Sequence, residues 1–128
     1  MKKLLLLILL ISSVLISCNT SAPKKAPLSH KEIMVNARRI EKNGWIVIHI
    51  EGKPDIIGYQ HGYLLADEII DLRSVIAMLN EKTTGKSWDF YRDESYRLFW
   101  SKIPAEYQEE IKGISSGVNV KLFSTLHQ

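Results

Sequence analysis

One stretch organises this sequence: GYQHGYLLADEIIDLRSVIAML, from Gly58 to Leu79. Its small and apolar residues recur at alternating steps of four and three, which is the spacing of one helix face. They are Gly58, Gly62, Leu65, Ile69, Leu72, Ile76 and Leu79. The pattern predicts one long amphipathic helix that extends to about Asn80, with Asp55 as its N-cap. Because each glycine costs roughly 1 kcal/mol against alanine in a helix interior, the two glycines indicate a close backbone approach, and we expect the preceding strand to be the neighbour.

Residues 1–17 have the layout of a signal peptide, with a basic start and an apolar run from Leu4 to Ile16. The run is shorter than the roughly 20 apolar residues of a membrane-spanning helix. Leu-Ile-Ser-Cys at residues 15–18 resembles a bacterial lipobox, which implies cleavage before Cys18 and lipidation of its thiol. The alternative is an ordinary signal peptide with a chance cysteine. Residues 18–28 are then a lipidated cysteine and a polar, proline-containing tether.

The residue after Cys18 is Asn19, and by resemblance to lipoproteins of two-membrane bacteria this favours delivery to the outer membrane. We therefore expect an exported protein whose first partner is the membrane that holds its lipid anchor. Lys2 and Lys3 belong to the predicted signal peptide, and without them the formal charge falls from +3 to +1. A nearly balanced charge without a basic patch argues against a nucleic-acid partner.

The remaining residues, 29–128, predict an α+β fold that is mainly helical, with one strand and about four helices. Ser29 and Glu32 form a capping-box pattern that predicts a first helix over about residues 31–42. The strand is WIVIHIE, residues 45–51, which is rich in β-branched residues. The other predicted helices span about residues 87–101, with Ser87 as cap, residues 104–116, ended by Gly117, and residues 120–126.

The predicted strand is apolar on both faces and has no partner strand in this prediction. Burying unpaired backbone groups is costly, so the strand requires a sheet supplied from elsewhere. Either a second copy supplies it, or the chain is the front part of a longer protein. We favour the longer protein.

No complete catalytic constellation is visible in the sequence. The four histidines form no close metal-binding pattern and no cofactor motif is present, so we expect neither a metal nor a cofactor. His61, expected near the N-terminal end of the long helix, is either a pocket residue that faces an anion or a packed surface histidine. Asp67, Glu68 and Asp71 are either an acid/base set or, more simply, a solvated face. The aromatic residues between positions 88 and 107 either line an acyl-binding pocket or form core.

Two stretches resemble conserved motifs of a known family. The first contains Gly52, Pro54 and the run Gly58-Tyr59-Gln60-His61-Gly62-Tyr63-Leu64-Leu65-Ala66. The second contains Pro104, Tyr107 and the run Glu110-Ile111-Lys112-Gly113-Ile114-Ser115-Ser116-Gly117. Together, in this order and at this separation, they resemble the penicillin acyltransferase-like family of autoproteolytic N-terminal-nucleophile hydrolases, and more distantly phospholipase B-like proteins. Asp55-Ile56-Ile57 departs from the family pattern.

The resemblance implies that residues 29–128 are the N-terminal segment of an incomplete hydrolase domain, part of a four-layer αββα sandwich. In the family a cysteine that follows this segment becomes the nucleophile, so the resemblance places no catalytic residue in this chain. It implies an amidohydrolase or acyltransferase acting on a small acyl-amide or acyl-ester substrate. Its pocket or motif residues are Gly58, Tyr59, His61, Gly62, Glu110, Gly113 and Gly117. The alternative is a small non-catalytic lipoprotein that serves as a binding module.

Overall fold

The structure, a computed structural model, describes residues 27–126. The predicted signal peptide, Cys18 and nearly all of the tether therefore lie outside the described residues. The described part is mainly helical, as predicted, with five α-helices and one two-stranded antiparallel sheet. The elements in chain order are α1 (His30–Ile33), β1 (Arg38–Lys42), β2 (Trp45–His49), α2 (Pro54–Leu64), α3 (Ala66–Thr84), α4 (Trp88–Phe99), a 3₁₀ turn (Trp100–Lys102) and α5 (Ala105–Leu126).

The capping box is confirmed, but the first helix is much shorter than predicted. The Ser29 hydroxyl accepts from the Glu32 amide while the Glu32 carboxylate accepts from the Ser29 amide. The helix stops at Ile33, and residues 38–42 form strand β1 instead of continuing it. The prediction of a helix over residues 31–42 is thus wrong after its first turn, because the apolar residues of that span are too sparse to hold a helix face.

A tight turn connects β2 to a partner strand, β1, which was not predicted. Asn43 and Gly44 both have positive φ, 53° and 80°, which is the backbone that a two-residue hairpin turn requires and that Asn-Gly supplies readily. The strands pair antiparallel from Arg38 with His49 to Lys42 with Trp45. The prediction of a single unpaired strand is therefore corrected, although the sheet has only two strands.

The predicted long helix is two helices that meet at Leu65. Leu65 has φ −116° and ψ 24°, outside helical geometry, so it ends α2 and precedes α3. The Arg39 guanidinium donates to the Leu64 carbonyl oxygen at 2.9 Å and satisfies an acceptor that the break leaves open. Helix α2 also begins earlier than predicted, with Lys53 rather than Asp55 at the N-cap position and Pro54 in the first turn.

The last helix is longer than predicted. Ser87 caps α4 as expected, its hydroxyl accepting from the Phe90 amide. Helix α5 then runs without interruption from Ala105 to Leu126, through Gly113 and Gly117. The prediction that Gly117 ends a helix is wrong, because this glycine makes a close packing contact inside the helix rather than a left-handed cap.

The main packing contact of the described chain is that of α2 on α5. Few residues are buried, and most of them lie along this contact: Gly58, Tyr59, Gly62, Gly113 and Gly117. The other buried residues with described side chains are Gln60 and Ala66. By contrast, large apolar side chains remain exposed on β2, α3, α4 and α5, among them Trp45 at 75% and Phe123 at 65%. None of the described helices combines the length and apolar character needed to cross a membrane.

Candidate functional site

The candidate site is built around a helix crossing in which four glycines bring two backbones into contact. A Cβ added to Gly58 would lie 2.8 Å from the Glu110 carbonyl carbon, and one added to Gly62 would lie 2.8 Å from the Ile114 carbonyl carbon. In return, a Cβ on Gly113 would lie 2.9 Å from the Tyr59 amide nitrogen, and one on Gly117 would lie 2.7 Å from the Tyr63 amide nitrogen. Each helix therefore needs its glycines so that the other can approach.

This crossing corrects the expected neighbour of the helix glycines. We expected the preceding strand to contact Gly58 and Gly62, whereas the backbone that contacts them belongs to α5. The two stretches that carry the family resemblance thus meet in space, although Gly58 and Gly113 lie far apart in sequence. The GxxxG spacing allows close helix packing here, as it does in membrane helices, but in a helix that also bears Gln60 and His61.

A histidine, two tyrosines and a lysine form a cluster on one side of the crossing. His30 Nδ1 lies 2.8 Å from the Tyr59 hydroxyl, and the His30 ring lies 4.6 Å from the Tyr63 ring centroid. The Tyr59 and Tyr63 rings are parallel within 6°, and Lys121 Nζ lies 5.4 Å from the Tyr63 ring centroid. Burial, and to a lesser extent the neighbouring Tyr63, raise the pKa of Tyr59 above 10. The cluster joins α1, α2 and α5.

Gln60 is the most deeply buried polar side chain of the described residues, with 2% of its surface exposed. Its amide nitrogen donates to the Ile33 carbonyl at 2.6 Å, and its amide oxygen accepts from the Glu51 amide at 2.8 Å. One side chain therefore ties the end of α1 and the residues after β2 to helix α2. Its amide carries both functions that these two backbone groups need, a donor and an acceptor.

Arg39 ties the hairpin to the break between α2 and α3. Its guanidinium donates two parallel hydrogen bonds to Glu68, at 2.7 and 2.6 Å, and two more to one Glu41 oxygen, at 3.2 and 2.7 Å. The hydrogen bonds from Arg39 lower the pKa of Glu68 below its usual value of 4.5. This two-bond geometry is specific to arginine and fixes the orientation of both side chains.

The remaining predicted site residues are distributed as follows. His61 lies in the last turn of α2, not near its N-terminus, so its helix end favours a cation rather than an anion. Glu110 takes part in the crossing through its backbone, which faces Gly58. Among the three acids, Asp67 and Asp71 are exposed and Glu68 pairs with Arg39, which favours the solvated-face interpretation over an acid/base set.

The aromatic residues between positions 88 and 107 do not form a closed core. Part of them line an open groove of about 410 Å³ between α4, the 3₁₀ turn and α5. Tyr96 is 62% exposed, Phe99 55% and Tyr107 53%. Of the two interpretations of this cluster, the structure favours a pocket-lining surface.

Two features of the site were not found from the sequence. His30 and Lys121 reach Tyr59 and Tyr63 from distant positions, and no local pattern connects them. The i, i+4 spacing of the two tyrosines was the only available signal, since it places both rings on one helix face. The pairing of Arg39 with Glu68 was missed because Arg39 was assigned to a helix.

The described arrangement holds two backbones in close contact and places the Tyr59 hydroxyl 2.8 Å from His30 Nδ1. No group of three or more potential metal ligands lies together in residues 27–126. Comparison with protein-family models, with curated proteins and with solved structures finds no match to this chain.

Proposed function

We propose that residues 29–128 are the N-terminal, non-catalytic segment of an exported hydrolase or acyltransferase that acts on amide or ester bonds, of the N-terminal-nucleophile class. The observation that carries the proposal is the glycine crossing. Gly58 and Gly62 come from one family-like stretch, and Gly113 and Gly117 come from the other. At each of these four positions a Cβ would collide with the backbone of the other helix, so the two motifs together form one helix–helix contact.

The exposed apolar surfaces support a segment that docks onto further protein. Trp45, Ile46 and Val47 on β2 are 40–75% exposed, and Leu72, Ile76 and Leu79 on α3 are 38–61% exposed. Leu72, Ile76 and Leu79 share one face of α3 by their spacing, and an exposed apolar stripe of this kind is typical of an interaction site. A hairpin of two strands is also marginally stable by itself. In this proposal the partner is the remaining part of the same protein, which completes the αββα sandwich and supplies the nucleophile.

In this view the crossing is a scaffold rather than the reacting centre. It holds α2 and α5 in one rigid arrangement, onto which the sheet and the nucleophile are placed. The lipid anchor at Cys18 would hold the enzyme at the outer membrane, where it would meet small acyl-amide or acyl-ester substrates. The chain by itself is then expected to hydrolyse neither.

The proposal is tested in the native cells. Antibodies against residues 29–126 capture the protein, and a thiol-reactive electrophilic probe is added before peptide sequencing. We expect a co-captured polypeptide that begins with a probe-labelled cysteine and is encoded downstream in the same reading frame. Capture of a chain without such a polypeptide, or amide hydrolysis by the purified 128-residue chain, would overturn the proposal.

A small non-catalytic lipoprotein that binds a partner is the second candidate. It is favoured by one observation, the large apolar exposure of β2, α3, α4 and α5 in the described residues. The same capture experiment separates the two, because a binding module requires no labelled cysteine encoded in its own frame.

A further inference from the structure

The groove between α4 and α5 is lined almost entirely by apolar and aromatic side chains. Its volume of about 410 Å³ lies within the roughly 300–1,000 Å³ of small-molecule sites. The side chains that form its walls include Trp88, Tyr91, Tyr96, Phe99, Trp100 and Ile111. Such walls suit a narrow hydrocarbon chain, because aromatic faces give a large apolar contact area at little cost in conformational entropy.

Two lysines stand beside this groove without a carboxylate partner. Lys102 Nζ lies 5.9 Å from the Phe99 ring centroid, and Lys112 Nζ lies 5.6 Å from the Trp100 ring centroid. Both rings belong to the groove wall. Within residues 27–126 neither lysine forms an ion pair. Their positive charge is therefore available to a ligand.

The third cation of the groove is neutralised. Arg92 lines the groove, but its guanidinium pairs with Asp89 at 2.8 Å and with Asp93 at 2.9 Å. The free positive charge is thus concentrated near Phe99 and Trp100. Lys102 and Lys112 do not themselves line the groove, but their ammonium groups lie over two of its wall rings, so the positive charge stands at that end of the apolar walls.

From this arrangement we propose that the groove binds a free anionic amphiphile, a single medium-length hydrocarbon chain with a carboxylate head. The chain lies along Tyr96, Phe99 and Trp100, and the carboxylate faces Lys102 and Lys112. This inference does not rest on the proposed function, because binding of this kind requires no nucleophile and no additional domain.

The charges around the groove favour this occupant over two others. The carboxylates of Asp89 and Asp93 are 71% and 69% exposed on α4, and they would repel an anionic membrane surface. A second copy docked symmetrically on this face would bring the same lysines toward each other. A free amphiphile places its single carboxylate beside Phe99 and Trp100 at the end of α4, away from Asp89 and Asp93 nearer its start, and so meets neither penalty.

The test uses the full 128-residue chain in phosphatidylcholine nanodiscs, labelled with a ten-carbon carboxylate that bears a photoreactive diazirine at its far end. Labelled positions are read by mass spectrometry. We expect labelling concentrated on the groove-wall residues, suppressed by excess decanoate and not by decyltrimethylammonium. Replacing both Lys102→Gln and Lys112→Gln should weaken labelling about tenfold, since two exposed charge contacts are lost.

Lys86→Gln is the matched control, because Lys86 Nζ lies 4.9 Å from the Phe90 ring centroid and neither residue lines the groove. This variant should label like the wild type, and circular dichroism should show the same helix content in all variants. Equal competition by decanoate and decyltrimethylammonium would overturn the proposal, and so would labelling spread over all exposed apolar helices. The proposal would also be overturned if labelling were seen only when a lipid of the nanodisc carries the diazirine. The last result would assign the face to the membrane.

Discussion

Gly62 on α2 and Ile114 on α5 are in backbone contact where the two helices cross. A Cβ on Gly62 would come within 2.8 Å of the Ile114 carbonyl carbon and nearer still to its oxygen. The neighbour is backbone, which cannot rotate away as a side chain can. The contact therefore leaves no room for any other residue at position 62, and the helix pair depends on it.

Gly62→Ala should destabilise the protein by about 3 kcal/mol, the upper part of the range for overpacking, despite the better helix propensity of alanine. Urea unfolding followed by circular dichroism measures the change. Ser115→Ala is the control, since Ser115 is exposed on α5 one residue beyond the contact. Equal stability of Gly62→Ala and wild type would show that the helices can separate at no cost.

Gln60→Leu should free the two backbone groups that this buried amide holds. The Ile33 carbonyl and the Glu51 amide would lose their partners, at a cost of about 0.5–1.5 kcal/mol for each hydrogen bond, since Ile33 is half-buried and Glu51 exposed. Hydrogen exchange at the Glu51 amide should become faster. The control is Gln108→Leu, because Gln108 donates to the Trp100 and Ile103 carbonyls elsewhere in the fold and should leave Glu51 exchange unchanged. Unchanged Glu51 exchange in Gln60→Leu would contradict this role.

Glu68→Gln should reduce stability at neutral pH by less than about 1 kcal/mol, because the Glu68 side chain is 39% exposed. Arg39 lowers the pKa of Glu68 in the folded state below 4.5. A carboxyl of this kind stabilises the fold above its unfolded pKa and loses that contribution as the pH falls through the folded pKa. The stability gap between wild type and Glu68→Gln should therefore close below about pH 4.5.

Urea titrations at pH 7 and in steps down to pH 3 measure this gap. Asp71→Asn, an exposed acid on the same helix, serves as the control. A gap that stays constant with pH would mean that Glu68 acts through packing rather than through its charge.

Tyr59→Phe should change the alkaline limb of the stability curve. Burial raises the pKa of Tyr59 above 10, so its phenol stabilises the fold below its unfolded pKa and loses that contribution as the pH rises through the folded pKa. The loss of stability above pH 10 should be smaller in the variant. Ultraviolet absorbance of the tyrosinate should show that the component removed by Tyr59→Phe has its midpoint above pH 10. A removed component with its midpoint at or below pH 10 would refute this assignment.

Local signals predicted the caps of α1 and α4. Ser29 with Glu32, and Ser87, act within one turn of the backbone, so their caps are readable from a few adjacent residues. The Asn43-Gly44 turn was equally local, yet the hairpin was missed because Arg38 to Lys42 was assigned to a helix. The apolar residues of this segment recur only weakly at helical spacing. Pairing with β2 stabilises the segment as a strand instead.

The sequence by itself determined where close approach is possible, through the spacing of Gly58, Gly62, Gly113 and Gly117. Tertiary structure decided which backbone comes close. Helix α5, not the strand, fills the space that the missing side chains leave, and this contact keeps Gly117 inside a helix that its propensity would end. The break at Leu65 is likewise tertiary, since Arg39 from the hairpin satisfies the Leu64 carbonyl there. Helix periodicity reports only contacts within four residues, and such partners lie beyond that range.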